Sequence, residues 1–209
     1  MFFLTNMAYS SFPVFLPTII HSAGNSTLAS QALSFPPYLL AFVTVLLTAR
    51  LSDHYSARAP FLIAHALLSF LGYALLSLSE PLALPRWARY LALFPACAGF
   101  FSVVCLTVTW SINNQPNPSS QGSSFALLQL IGQCGPLVGT RLYPDTDGPY
   151  FAPGMRACSV AMLGVAALCL VLRIYMKRWN ARVGSDLRRP LMEGEAVEVK
   201  GDDEFRYML

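Results

Sequence analysis

A bundle of membrane-spanning α-helices is the fold class that this sequence predicts, and three observations predict it. Hydrophobic residues fill 55% of the 209 positions and charged ones only 12%, with a mean hydropathy of +0.49; a soluble domain carries about 25% charged residues. The apolar residues gather in runs near the roughly 20 residues that a spanning helix needs. Runs such as VTVLLTA and LLQLIGQCGPLVG are apolar on nearly every side, so the period-2 alternation of a membrane barrel is missing.

Six spans are expected, at about residues 1–20, 33–49, 60–78, 90–110, 123–141 and 154–175, making a transmembrane domain over 1–176. The first carries Pro13 and Pro17 and lacks the basic start of a cleaved signal peptide. Arg50 closes the second span and Pro60 opens the third. The fourth follows the basic pair Arg86 and Arg89 and ends at Trp110, the fifth ends at Arg141, and Lys177 with Arg178 stops the sixth. The tail over 177–209 opens basic and closes acidic, a composition expected to be disordered. Its basic start suits either contact with anionic headgroups or a stop-transfer role.

Lys and Arg are retained on the cytoplasmic side of short loops. With both termini inside, ten of the 14 basic residues fall inside, namely Arg50, Arg58, Arg173, Lys177, Arg178, Arg182, Arg188, Arg189, Lys200 and Arg206. Four fall outside: Arg86, Arg89, Arg141 and Arg156. The expectation is a multi-pass protein, by default of the plasma membrane. The five cysteines all fall in expected spans, which suits small apolar packers rather than a disulfide framework or zinc site. Asn25-Ser26-Thr27 is a glycosylation sequon on the expected outer side.

Polar residues at membrane depth are costly unless they face a partner or a water-filled cavity, so they carry the functional signal. Gln129, Gln133, Pro136 and Thr140 share one helical face, beside a stripe of Gly132, Gly135 and Gly139. Such a helix lines an aqueous path with one side and packs closely with the other; alternatively, the glutamines glue helices together. Trp110 and Asn114 share a face of the fourth span, and the first span offers Asn6 and Tyr9. An aromatic ring flanked by amides stacks on a flat solute and hydrogen-bonds its substituents, although Trp110 equally suits an interfacial anchor. The expected substrate cavity is thus Asn6, Tyr9, Trp110, Asn114, Gln129 and Gln133. No Asp, Glu or Lys lies mid-span, and His65 there suits a packed histidine more than a proton relay. Asp53-His54 lacks an activated nucleophile or zinc ligands at useful spacing, so no enzyme, catalytic residue, metal or cofactor is expected, and no nucleic-acid partner.

Six motifs in order add a family resemblance: FLPTII (15–20), PPY (36–38), SDHYSAR (52–58), WSINN (110–114), DGPYFAPG (147–154) and WNAR (179–182). Together they resemble the carboxyl-terminal half of a major facilitator superfamily transporter, more narrowly the anion:cation symporter family of fungal allantoate and nicotinate permeases. The resemblance implies helices seven to twelve of a twelve-helix fold, a small organic anion or related solute, alternating access and proton symport. It also implies that Arg50, Asp53 and Arg58 form a cytoplasmic gating loop, a degenerate copy of the superfamily's Gly-x-x-x-Asp-Arg-x-Gly-Arg-Arg signature in which His54 replaces an Arg. Relatives follow the Asn-Asn pair with a glycine and a Lys-Arg couple, whereas Gln115 to Gly122 carries no charge.

Alternating access rocks one half against another around a shared cavity. The partners implied are therefore the lipid bilayer, the solute, and a second six-helix half supplied by another chain or a second copy. The competing expectation is a truncated, non-transporting membrane protein, a structural or regulatory remnant of such a transporter.

Overall fold

Helix dominates the computed structural model, which describes residues 1–22, 24, 26–148, 150–193 and 206–208, and no strand occurs among those residues. In chain order the helices are α1 (Phe2–Ser22), α2 (Thr27–His54), α3 (Ala59–Ser77), α4 (Arg86–Asn113), α5 (Pro118–Gly132), α6 (Cys134–Gly139) and α7 (Ala152–Glu193), with a 3-10 turn at Asp145–Asp147. Among the described residues four helices are long and apolar enough to cross a membrane: α2, α3, α4, and α7 over 152–183.

α2 shows which solvent the fold is built for. Its buried stripe is Ser30, Ser34, Pro37, Ala41, Thr48 and Ser52, while Leu39, Phe42, Leu46 and Leu47 stand exposed. Small and polar residues turn inward and large apolar ones outward, the arrangement of a helix whose surroundings are lipid. Ser34 returns its hydroxyl to the Ser30 carbonyl at 2.8 Å. Pro37 has no N–H for the carbonyl of Leu33, and Tyr90 Oη on α4 donates to that oxygen at 3.0 Å.

α3 sits between α4 and α7 and packs most extensively on both. A Cβ on Gly72 would lie 2.5 Å from the Ala96 nitrogen, and one on Gly99 would lie 2.6 Å from the His65 carbonyl oxygen. Only glycine lets these backbones approach so closely, and Ser69 Oγ spans the seam to the Ala96 carbonyl at 3.2 Å. On the other side α7 runs antiparallel to α3, with Ser159 facing Phe70 and Cys169 facing Ala59. The core gathers around Tyr73, Phe100, Leu62, Met155 and Met162.

Two elements differ in extent from the expected spans. The run expected at 123–141 is broken at Gln133 into α5 and α6, because Pro136 removes the N–H that would bond residue 132 and its ring crowds that carbonyl. α7 is helical to Glu193, beyond residue 175, since Lys, Arg, Met and Leu are good helix formers and a helix need not stop where apolarity does. Of the tail, residues 194–205 and 209 lie outside the described residues, as does Asn25 of the sequon. Ser26 caps α2, its hydroxyl accepting the Ala29 N–H at 3.3 Å. All five cysteines are free thiols, with Cys97, Cys158 and Cys169 buried.

Candidate functional site

The glycine stripe decides where the fifth-span polar residues point. A Cβ on Gly135 would lie 2.5 Å from the Phe3 carbonyl oxygen, and one on Gly139 would lie 2.6 Å from Ser10 Oγ. The α5–α6 joint therefore seats on α1 through its glycines. Gln129 and Gln133 are left half-buried and exposed respectively, joined to each other through Nε2 and Oε1 at 3.4 Å.

Asn6 is buried in the same joint. Its Nδ2 has no hydrogen-bond partner and would lie 3.0 Å from a Cβ on Gly132. Tyr9 sits one turn along α1, edge-on to Phe100 and Phe101 at centroid distances of 6.1 and 5.6 Å. Tyr38 meets the Phe101 ring as well, at 6.0 Å.

Trp110 and Asn114 come together in the lining of a cleft of about 520 Å³ between α1, α4, α5 and α7. Phe2, Thr107, Ser111, Gln115 and Met176 are among the side chains that complete it. Both anchors are well buried, at 4% and 6% exposure, so neither is a free interfacial side chain. Asn114 Nδ2 donates to the Trp110 carbonyl at 2.9 Å, satisfying an acceptor that the end of α4 would leave open. An indole face, a carboxamide and an apolar wall are what a small flat solute needs. Asn6, Tyr9, Gln129 and Gln133 are not part of this cleft, so the six expected cavity residues fall into separate groups rather than one pocket.

The loop between α2 and α3 forms a second group. Arg58 pairs with Asp53; the arginine side chain is 10% exposed and the carboxylate 62%. Arg58 Nη1 also donates to Ser52 Oγ at 3.4 Å, and Ser52 donates to the Ala57 carbonyl at 3.0 Å. Ser56 takes a left-handed φ of 48°, which lets the chain turn into α3, where Pro60 sits in the first turn without needing its missing N–H. Arg50 is exposed. His65 bonds Thr48 Oγ1 at 2.8 Å.

Sequence reasoning did not name Asn180, Tyr207 or Met208, yet these lie at the same end as Trp110 and Asn114. Trp110 Nε1 donates to the Met208 carbonyl at 2.8 Å. Asn180 belongs to the WNAR motif, which was the one available signal.

The chain is similar to fungal transporters of the major facilitator type. It is 24% identical over 201 residues to the MFS-type transporter cnsO of Penicillium expansum, covering 93% of this chain and 39% of that one. It is 25% identical to the high-affinity nicotinic acid transporter of Saccharomyces cerevisiae, over 93% of this chain and 37% of the relative. The major facilitator-type transporter hxnP of Emericella nidulans is 22% identical, over 97% of this chain and 42% of its own length. The chain thus spans about two fifths of the length of the curated relatives it matches. No family model and no solved structure matches it.

Proposed function

We propose that this chain is the carboxyl-terminal six-span half of a major facilitator-type transporter, moving a small organic anion or related solute by alternating access with proton symport. One observation carries the proposal: nearly the whole chain aligns with about two fifths of proteins named as transporters. Six crossings result when α1 and the α5–α6 pair join the four long apolar helices. In this reading the end bearing Arg50, Arg58 and Lys177 faces the cytoplasm of a plasma-membrane protein, as the excess of basic residues there favours. Arg50, Asp53 and Arg58 then gate that side, with the buried arginine holding the loop in one state.

The anion:cation symporter assignment rests on the motif resemblance and gains support from a relative named for nicotinic acid. A planar aromatic carboxylate matches the Trp110 and Asn114 cleft by stacking, and by amide donation once Asn114 Nδ2 has given up the Met208 carbonyl. Tyr9, Gln129 and Gln133 belong, in this reading, to the face that meets a second half, while Asn6 stays buried in the joint between α1 and α5. An amide left with unfilled hydrogen-bonding groups costs about 1–3 kcal/mol against hydrocarbon, so a second six-helix half or a second copy covers the exposed Gln133 and its neighbour Gln129.

Binding tests this reading. Nicotinate titrated into the full chain in lipid nanodiscs is expected to quench tryptophan emission, with the change lost in Trp110→Phe and weakened about tenfold in Asn114→Leu. A folded chain whose emission responds to none of a series of small carboxylates contradicts it.

A further inference from the structure

Tyr207 and Met208 are held by their backbone, and two asparagines on different helices hold them. Asn180 of α7 donates Nδ2–H to the Tyr207 carbonyl at 2.8 Å and accepts the Tyr207 N–H at Oδ1 at 2.9 Å. Asn114, at the end of α4, accepts the Met208 N–H at 2.7 Å and donates to the Met208 carbonyl at 3.4 Å. A carboxamide presents a donor and an acceptor side by side, the pair that a neighbouring strand would offer. Successive residues of an extended chain turn these groups to opposite edges. The tail therefore runs between α4 and α7 with one asparagine gripping each edge. Trp110 Nε1 adds a second donor to the Met208 carbonyl, filling both of its lone pairs.

Main-chain bonds of this kind read no side chain, so selectivity comes from the flanks. Trp179 meets the Tyr207 ring at 6.5 Å and 66°, and Asn113 Nδ2 lies 3.7 Å from Met208 Sδ. An aromatic residue followed by a soft, flexible one fits these two contacts.

We infer that Asn114 and Asn180 form a peptide-backbone clamp whose occupant is this chain's own Tyr207–Met208, strapping α4 to α7 beside the cleft that Trp110 and Asn114 line. α4 and α7 both pack on α3. The strap ties the two together directly, so separating their ends breaks either the two hydrogen bonds to Asn180 or the three to Trp110 and Asn114. Parting α4 from α7 at this end then requires Tyr207–Met208 to leave one of the two asparagines. The inference stands on these contacts alone and does not depend on transport.

Hydrogen exchange of the carboxyl-terminal peptide, measured by mass spectrometry on the full chain in nanodiscs, is the test. The Tyr207 and Met208 amides are expected to exchange about tenfold or more slowly than in a free synthetic peptide of residues 204–209, the scale of one to two net hydrogen bonds. Tyr207→Pro, which removes the donor to Asn180 without touching any helix, is expected to return the Met208 amide to the free-peptide rate. Asn114→Leu with Asn180→Leu should do the same for both amides. Free-peptide rates in the unaltered chain overturn the proposal, and so does protection that survives both the tail variant and the double asparagine variant.

Discussion

Tyr90 donates its hydroxyl to the Leu33 carbonyl at 3.0 Å, the acceptor that Pro37 leaves without a helical partner. One residue on α4 thereby mends a defect that a residue on α2 creates, and the repair crosses the helix interface.

Tyr90→Phe is expected to lower stability by about 1 kcal/mol, the range of interhelical hydrogen bonds in membrane proteins. Pro37→Ala restores an N–H for Leu33, so the double variant should lose less than the sum of the two single ones. A double-mutant cycle by thermal unfolding in detergent measures this; strict additivity would show that the two residues are not linked.

Gly135 and Gly122 should respond in opposite directions to the same change. A Cβ at Gly135 meets the Phe3 carbonyl oxygen and the Met7 nitrogen, whereas Gly122, inside α5, has nothing within 4 Å. Gly135→Ala is expected to cost about 1–3 kcal/mol through displaced backbone, and Gly122→Ala to add about 0.5–1 kcal/mol through helix propensity. Melting temperatures of the two variants decide it, and equal shifts would sink the seating of α6 on α1.

Arg58 and Asp53 are unequally buried, so their removal should not be equivalent. Asp53→Asn weakens a half-exposed pair and is expected to cost about 1 kcal/mol or less. Arg58→Ala also loses the Ser52 contact and a packed stem, and should cost more, about 2 kcal/mol. Chemical denaturation of both variants is the check; a larger loss for Asp53→Asn would contradict the geometry.

Thr48 and His65 form one interhelical bond between α2 and α3, and His65 Nδ1 is buried without a partner. Thr48→Val is expected to destabilise by about 1–3 kcal/mol, because it strands both ring nitrogens. Adding His65→Leu should recover most of the loss, since both polar partners are then gone. Failure of that rescue in a thermal melt would point to a further role for the imidazole.

Much of this architecture could be read from residue spacing. The long apolar runs behind α2, α3, α4 and α7 were legible because lipid demands apolarity around the whole circumference, and the i, i+3, i+7 glycines of the α5–α6 joint announced a close-packed seam. The pairing within SDHYSAR was foreseeable because its opposite charges are confined to a short turn. Convergence was not legible: Gln129 and Gln133 share a face, but which face α1 grips depends on three-dimensional seating. The break at Gln133 was a matter of degree, since Pro136 permits either a kink or an interruption. The strap left almost no trace, because Asn114 and Asn180 bond to main-chain atoms, which every tail possesses.

On the proposed reading the chain crosses the membrane six times, with the Asp53–Arg58 loop, the end of α4 and the tail on one side. Single cysteines answer it most directly, introduced as Ser26→Cys, Ser56→Cys, Ala83→Cys, Asn117→Cys, Thr146→Cys and Arg182→Cys in a chain whose own five cysteines are replaced by serine. An impermeant maleimide applied to intact cells should label positions 26, 83 and 146, and should reach 56, 117 and 182 only after permeabilisation. Labelling of 117 and 146 from the same side would mean that α5 and α6 do not cross, and the six-span account would be wrong.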